Sequence, residues 1–368
     1  MNMIDIELLM QEEATQNQYI IDFVLMNVIF FIAYLNKDKG YRVMFTWFMI
    51  LIFCLYAFWD TDYFSFRYIF HTELKGYRDP LYYYLGEVSF GSYTIFRLLI
   101  WGTALYLFKK TIDRFKISSN IAAFIFAIFY LLTFSFGRIS LGIAMYFYGV
   151  SILLSDNKKM SDYVWGLLLI AGSYLGHRAM IVPIVLTPIM MLRPNKILIT
   201  AILVIGIIVG QLAASFVSDL IVGSLVIGSG IDAEEALLDY IANENDVTMN
   251  WKFALTSSLR WYSIYILMAY CIWVCFFSAK KTSIALEIQR LVILCTVIFI
   301  IAFNFQQFDT IGASEIGERI LYMLGIPLVT TLSYFRDKNI CSTKVMLLLL
   351  LPALMYAEGF IFGKILSF

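Results

Sequence analysis

Apolar runs of about seventeen residues or more recur along this chain from Tyr19 to its C-terminal end. Each is about long enough to cross the ~30 Å hydrocarbon core of a bilayer as a helix. A helix is the only spanning form that satisfies its own backbone polar groups without closing a barrel. The expected fold is therefore an all-α polytopic integral membrane protein, one transmembrane domain over residues 1–368. Composition points the same way: 61% of residues are apolar and 15% charged, against about 45–50% and about 25% in soluble domains.

Twelve spans are expected, at about 19–35, 41–58, 93–108, 119–136, 138–154, 163–176, 179–192, 197–217, 260–277, 288–307, 319–335 and 344–362. Alternate connections between them are basic. They carry Lys37, Lys39 and Arg42; Lys109, Lys110, Arg114 and Lys116; Lys158 and Lys159; Arg193 and Lys196; Lys280, Lys281 and Arg290; and Arg336, Lys338 and Lys344. Short basic loops stay in the cytoplasm, so both termini are expected to be extracytoplasmic. The outer side then holds two long loops, at 59–92 and 218–259, and three tight turns. The first eighteen residues carry Asp5, Glu7, Glu12 and Glu13 but no Lys or Arg. That is the reverse of a basic signal-peptide start, and no cleavable signal is expected.

The five cysteines lie in apolar runs or, for Cys341, in a short basic loop, which argues against a disulfide framework. Cys271 and Cys275 share a helix face but have no histidine near them in sequence, which makes a poor metal site. No phosphate-binding loop, dinucleotide-binding glycine pattern, H-E-x-x-H or G-x-S-x-G is present. With no large cytoplasmic domain expected, the substrates of an enzyme of this kind would arrive through the membrane or from outside.

The outer face is unusually rich in chemistry. Seven arginines fall outside the basic connections: Arg67, Arg78, Arg97, Arg138, Arg178, Arg260 and Arg319. Arg138, Arg178 and Arg319 sit at outer ends of spans, where a long side chain can snorkel to the surface. Their planar donor forks match phosphate or carboxylate. His177 and Arg178 share the outer turn in "SYLGHRAMIVP". Gly142, Met145 and Gly149 form a small-residue face behind Arg138, with room for a neighbouring helix or for a lipid chain. The first outer loop interleaves tyrosine and phenylalanine with carboxylates, either as an interfacial belt or as a surface for stacking on sugars. Its "DTD" triplet, Asp60 to Asp62, is either a weak divalent-cation motif or a helix cap. In the second loop, Asp232 and Glu235 resemble a capping box. Ile231, Leu237, Leu238 and Ile241 would give a short amphipathic surface helix.

Five segments occur in a telling order: "TDYFSFRYIF", "RDPLYYYL", "FGRISLGIAMYFYGVSILL", "GHRAMIVPIVL" and "ERILYMLGIPL". Together, over about residues 55–335, they resemble the EpsG-like family of Wzy-type polysaccharide polymerases. Asp79-Pro80 stands where Glu-Pro is commoner, and Arg178 stands where Ser or Lys is more usual. A role for Arg178 is thus not inherited from the family.

The resemblance implies a membrane glycosyltransferase, with a fold related to the C-type membrane glycosyltransferases, in the bacterial inner membrane. Its site would face the periplasm or cell exterior. It would transfer a growing chain from undecaprenyl pyrophosphate to the next lipid-linked repeat unit. A chain-length regulator and a flippase are candidate partners beside membrane lipid; no nucleic acid, cofactor or metal is expected. Arg138 and Arg319, assisted by Arg178, would bind the leaving pyrophosphate. His177 would serve as the base for the acceptor hydroxyl, with Asp60, Asp62 or Glu318 as substitutes. Tyr63, Arg78, Asp79, Tyr82 and Tyr83 would line the sugar path. Two alternatives stay open. A C-type transferase using a polyprenyl-phosphate sugar would favour Asp60 and Asp62. A lipid-linked oligosaccharide flippase would call for internal repeats and midplane charges, which are not evident.

Overall fold

The computed structural model describes residues 14–35, 40–58, 62–72, 79–130, 139–155, 159–208, 210, 212, 251–305, 317 and 320–366. Among these every regular element is a helix. In order they are α1 (Gln16–Leu35), α2 (Gly40–Leu55), α3 (Asp62–Thr72), α4 (Pro80–Glu87), α5 (Tyr93–Arg114), α6 (Ser119–Ile125), α7 (Ile139–Leu154) and α8 (Met160–Gly176). Then follow α9 (Ile181–Leu186), α10 (Lys196–Ile208), α11 (Trp251–Ile272), α12 (Leu286–Phe305), α13 (Gly325–Asp337) and α14 (Thr343–Leu366). Where the expected spans fall on described residues, those residues are mainly helical. Among the described residues, four segments, in α1, α11, α12 and α14, are long and apolar enough to cross a membrane, and five shorter apolar helices accompany them. The expected amphipathic helix built on Asp232, Glu235 and the Ile231–Ile241 stripe lies outside the described residues.

The burial pattern is that of a membrane protein. Every residue from Gly325 to Phe335 of α13 is buried, so this helix has no outward face. Peripheral helices instead turn large apolar side chains outward: Phe31 is 64% exposed, Trp165 62% and Leu348 69%. In water such a surface would associate, whereas against lipid tails it is the ordinary outer layer. The Gln16 side-chain amide donates to the Ile365 carbonyl at 3.0 Å, placing the start of α1 beside the end of α14. Lys280 Nζ donates to the Ile340 carbonyl at 2.8 Å, joining two basic connections that the sequence reading puts on one side.

Local chemistry sets the ends. The Ser92 hydroxyl caps α5 by accepting the Ile95 N–H, and the Asp162 carboxylate accepts the Lys159 N–H at 3.0 Å at the start of α8. The turn between α4 and α5 runs through Phe90 and Gly91 at φ +53° and +74°. Gly91, having no Cβ, takes that conformation freely, whereas Phe90 takes it with its Cβ crowded against the backbone. Beyond α8 the chain alternates a 3-10 turn (Arg178–Met180), α9 and a second 3-10 turn (Thr187–Met191). Pro183 and Pro188 lack the N–H an uninterrupted α-helix needs. The buried Tyr146 hydroxyl on α7 donates to the Pro183 carbonyl at 2.7 Å and meets the Thr187 hydroxyl at 2.8 Å, which clamps this irregular segment.

Candidate functional site

The glycine face of α7 is resolved by its neighbour. A Cβ at Gly149 would lie 2.7 Å from the Gly166 carbonyl oxygen, and one at Gly176 would lie 3.1 Å from the Gly142 Cα. The face is thus spent on close helix packing against α8, and the lipid-chain alternative loses. At the His177 end of the seam, a Cβ at Gly142 would be 3.1 Å from the Ser173 carbonyl and 3.4 Å from the His177 nitrogen. The first turns of α7 therefore lie directly against the His177 turn.

That turn is capped from two directions. A 3-10 turn opening at Arg178 leaves its leading amides without partners inside the turn. The His177 backbone is extended, and its Nδ1 accepts the Ala179 N–H at 3.1 Å. The preceding amide, Arg178 N–H, donates to Oδ1 of Asp79 at 3.3 Å, across 99 residues. Asp79 is the N-cap of α4, followed by Pro80 at the first helical position, yet its side chain makes no capping bond to its own helix. Its backbone carbonyl receives the Tyr82 and Tyr83 amides, and its carboxylate, 4% exposed, is turned to the His177 turn instead.

Three of the quoted segments are thereby brought together: the Asp79-Pro80 step, the start of α7 and the His177 turn. A backbone N–H can only donate, so Nδ1 of His177 carries a lone pair, and in the neutral ring Nε2 carries the proton. The imidazole presents an N–H donor, and the buried carboxylate of Asp79, which accepts the Arg178 amide, supplies an acceptor to the same turn.

The other expected residues divide. The Tyr82 ring is 2% exposed, packed edge-on to Phe96 at 6.1 Å. The Tyr63 ring is 6% exposed among Phe58, Phe64 and Tyr93. Both rings are buried in aromatic packing. Tyr83 is half-buried beside Glu87, whose charge, with a hydrogen bond to it, holds the phenol above its ordinary pKa and so protonated at neutral pH. Asp60, Arg78, Arg138, Glu318 and Arg319 lie outside the described residues. Asp62 opens α3, with its side chain outside the description.

Sequence reasoning gave Arg97 no role, although it stands inside an apolar run. It is buried, with a hydrogen bond to the Cys54 carbonyl and the Tyr63 ring over its guanidinium. Its position within a span was the available signal.

His177→Asn and His177→Ala separate the two ring nitrogens. Asn offers an oxygen near the place of Nδ1 and is a good cap, so His177→Asn is expected to keep the thermal stability of the parent. His177→Ala is expected to lose about 1 kcal/mol with the cap. A melting comparison in detergent reads the difference, and equal melting of all three would sink the capping role.

Residues 41–364 match the model of the EpsG family. No curated protein and no solved structure matches the chain.

Proposed function

Because the chain belongs to the EpsG family, a Wzy-like polymerase family, we propose that it polymerises lipid-linked oligosaccharide repeat units at the outer face of the bacterial inner membrane. The growing chain leaves undecaprenyl pyrophosphate and is joined to the next lipid-linked unit. The observation that carries this reading is the hydrogen bond from Arg178 N–H to Asp79. It joins the acidic-Pro-Tyr segment of the first outer loop to the His-centred turn. That contact supports a shared role for these two segments.

In the reaction, an acceptor hydroxyl oxygen bonds to the anomeric carbon of the donor chain. The bond from that carbon to the pyrophosphate oxygen breaks, and the leaving group departs as undecaprenyl pyrophosphate. The hydroxyl proton goes to a carboxylate. Asp79 is the favoured base because it is buried and already anchored by one hydrogen bond, which supports a fixed orientation. Asp60, Asp62 and Glu318 are the other candidates. His177, with Nδ1 engaged, acts through its Nε2–H as a donor to a substrate oxygen rather than as the base. Arg138 and Arg319, with Arg178, balance the charge that develops on pyrophosphate. With arginines in that role no metal is called for. Arg78 and Tyr83 would contact the sugars, with Tyr63 and Tyr82 packed behind them. A flippase would supply the lipid-linked units, and a chain-length regulator would act on the product.

The test is the surface-polysaccharide gel of the host with this chain deleted and then restored. A band of single repeat units in place of the ladder is the expected result, and excess chelator in a reconstituted assay should leave extension unchanged. Loss of every repeat-bearing band on deletion would instead identify a single-sugar transferase or a flippase.

A further inference from the structure

Arg97 sits one helical turn into α5 and is 4% exposed. One terminal guanidinium nitrogen donates to the Cys54 carbonyl near the end of α2. The other donates to the Tyr93 hydroxyl at 3.4 Å, and that hydroxyl donates in turn to the Tyr63 carbonyl on α3 at 3.0 Å. The Tyr63 ring covers the guanidinium, with its centroid 4.7 Å from Cζ. Among the described residues, Arg97 has no carboxylate partner, and its Nε is buried without an acceptor. One residue along, the Phe96 ring packs on Phe70 of α3 at 5.0 Å and on Tyr82 of α4 at 6.1 Å.

A buried charge gives up hydration that an apolar side chain of the same volume would never have had, so packing alone does not call for a cation here. What the guanidinium supplies is a fork. It reaches two oxygens on different helices while offering its face to a ring, which the single ammonium point of lysine cannot reproduce. We propose that Arg97 is the positioning residue of the first outer loop. It holds α3 directly and, through Phe96 and Tyr82, steadies α4, whose N-cap Asp79 meets the His177 turn.

The docking half of this proposal is independent of what the protein catalyses, while the functional half rests on the polymerase reading. Both are read on the full chain in lipid nanodiscs and in the host. Arg97→Met fills a similar volume without charge or donors. It should speed amide exchange across residues 62–72 roughly tenfold, the order expected when hydrogen bonds that hold a local unit are lost, with α12 and α13 unchanged. It should also weaken the polysaccharide ladder. Arg97→Lys should restore the ladder in part, which a purely space-filling role would not produce. If Arg97→Met does not accumulate, Tyr93→Phe removes only the relay oxygen and should give the same local exchange at roughly half the effect. Unchanged exchange over 62–72 in the folded variants would overturn the proposal. So would faster exchange there with a normal ladder, which would separate α3 from the site. If deletion of the whole chain fails to leave single repeat units, the polymerase reading falls while the exchange result still decides the docking of α3.

Discussion

Asp79→Asn is expected to leave the protein in the membrane at its usual abundance and to slow chain extension by about 10²–10⁴-fold, the range a positioned general base contributes. The substitution is isosteric. The amide oxygen can still accept the Arg178 N–H now held at 3.3 Å, and the Asp79 backbone carbonyl still receives the Tyr82 and Tyr83 amides. What disappears is the capacity to take a proton. Asp79→Ala differs in kind, since it also leaves the Arg178 amide without its carboxylate partner. A buried donor stripped of its acceptor costs about 1–3 kcal/mol, so the alanine variant confounds chemistry with folding. Extension from purified lipid-linked units, read as a product ladder against membrane abundance, separates the two. A normal ladder with Asp79→Asn would move the base to Asp60, Asp62 or Glu318. A fall in abundance with Asp79→Asn would make the negative charge itself structural.

Why the helices were legible in the sequence, and this carboxylate was not, has a physical answer. Insertion into a bilayer is decided by the summed transfer free energy of a segment, a property of composition that needs no knowledge of neighbours. The described residues of the expected spans are accordingly mainly helical. The irregular stretch from Arg178 to Met191 departs from simple α-helix in two 3-10 turns that flank α9, where Pro183 and Pro188 each remove an N–H from the helical ladder. Asp79 followed by Pro80 reads locally as a helix start, which it is. That its carboxylate serves a turn 99 residues away is a tertiary fact that no local pattern contains. The same holds for His177: a lone histidine suggests a base, and only the Ala179 amide on Nδ1 assigns its proton to the other nitrogen. For Tyr63 and Tyr82, residue type was readable but burial was not. Gly142 and Gly149 signalled a close approach, yet their partners Gly166 and Gly176 emerge only once α8 is laid against them.

The largest structural effect is expected at that seam. A Cβ at Gly149 would stand 2.7 Å from the Gly166 carbonyl oxygen, 2.9 Å from Ile170 Cγ1 and 3.2 Å from the Ile170 nitrogen. Two of these atoms belong to the backbone, so no rotamer change clears them, and Gly149→Leu adds an isopropyl group beyond the clashing Cβ. Overpacking costs about 1–3 kcal/mol and occasionally more, and the upper end or beyond applies where backbone meets backbone. Gly149→Leu should therefore lower the melting temperature of the purified protein and its membrane abundance severalfold, and the ladder should fail with it. Gly102→Ala is the matched control, since its nearest neighbour would be Leu98 Cδ1 at 4.0 Å. It should melt like the parent or slightly above it, as alanine favours helix by about 1 kcal/mol over glycine. The consequence for function follows from where the seam leads. Gly142 and Gly176 continue it to the His177 turn, so wedging the helices apart at Gly149 moves that turn away from α7 even in molecules that stay folded. A Gly149→Leu protein with normal melting and a normal ladder would show that the α7–α8 contact does not set the position of His177. Normal melting with a lost ladder would show that it does.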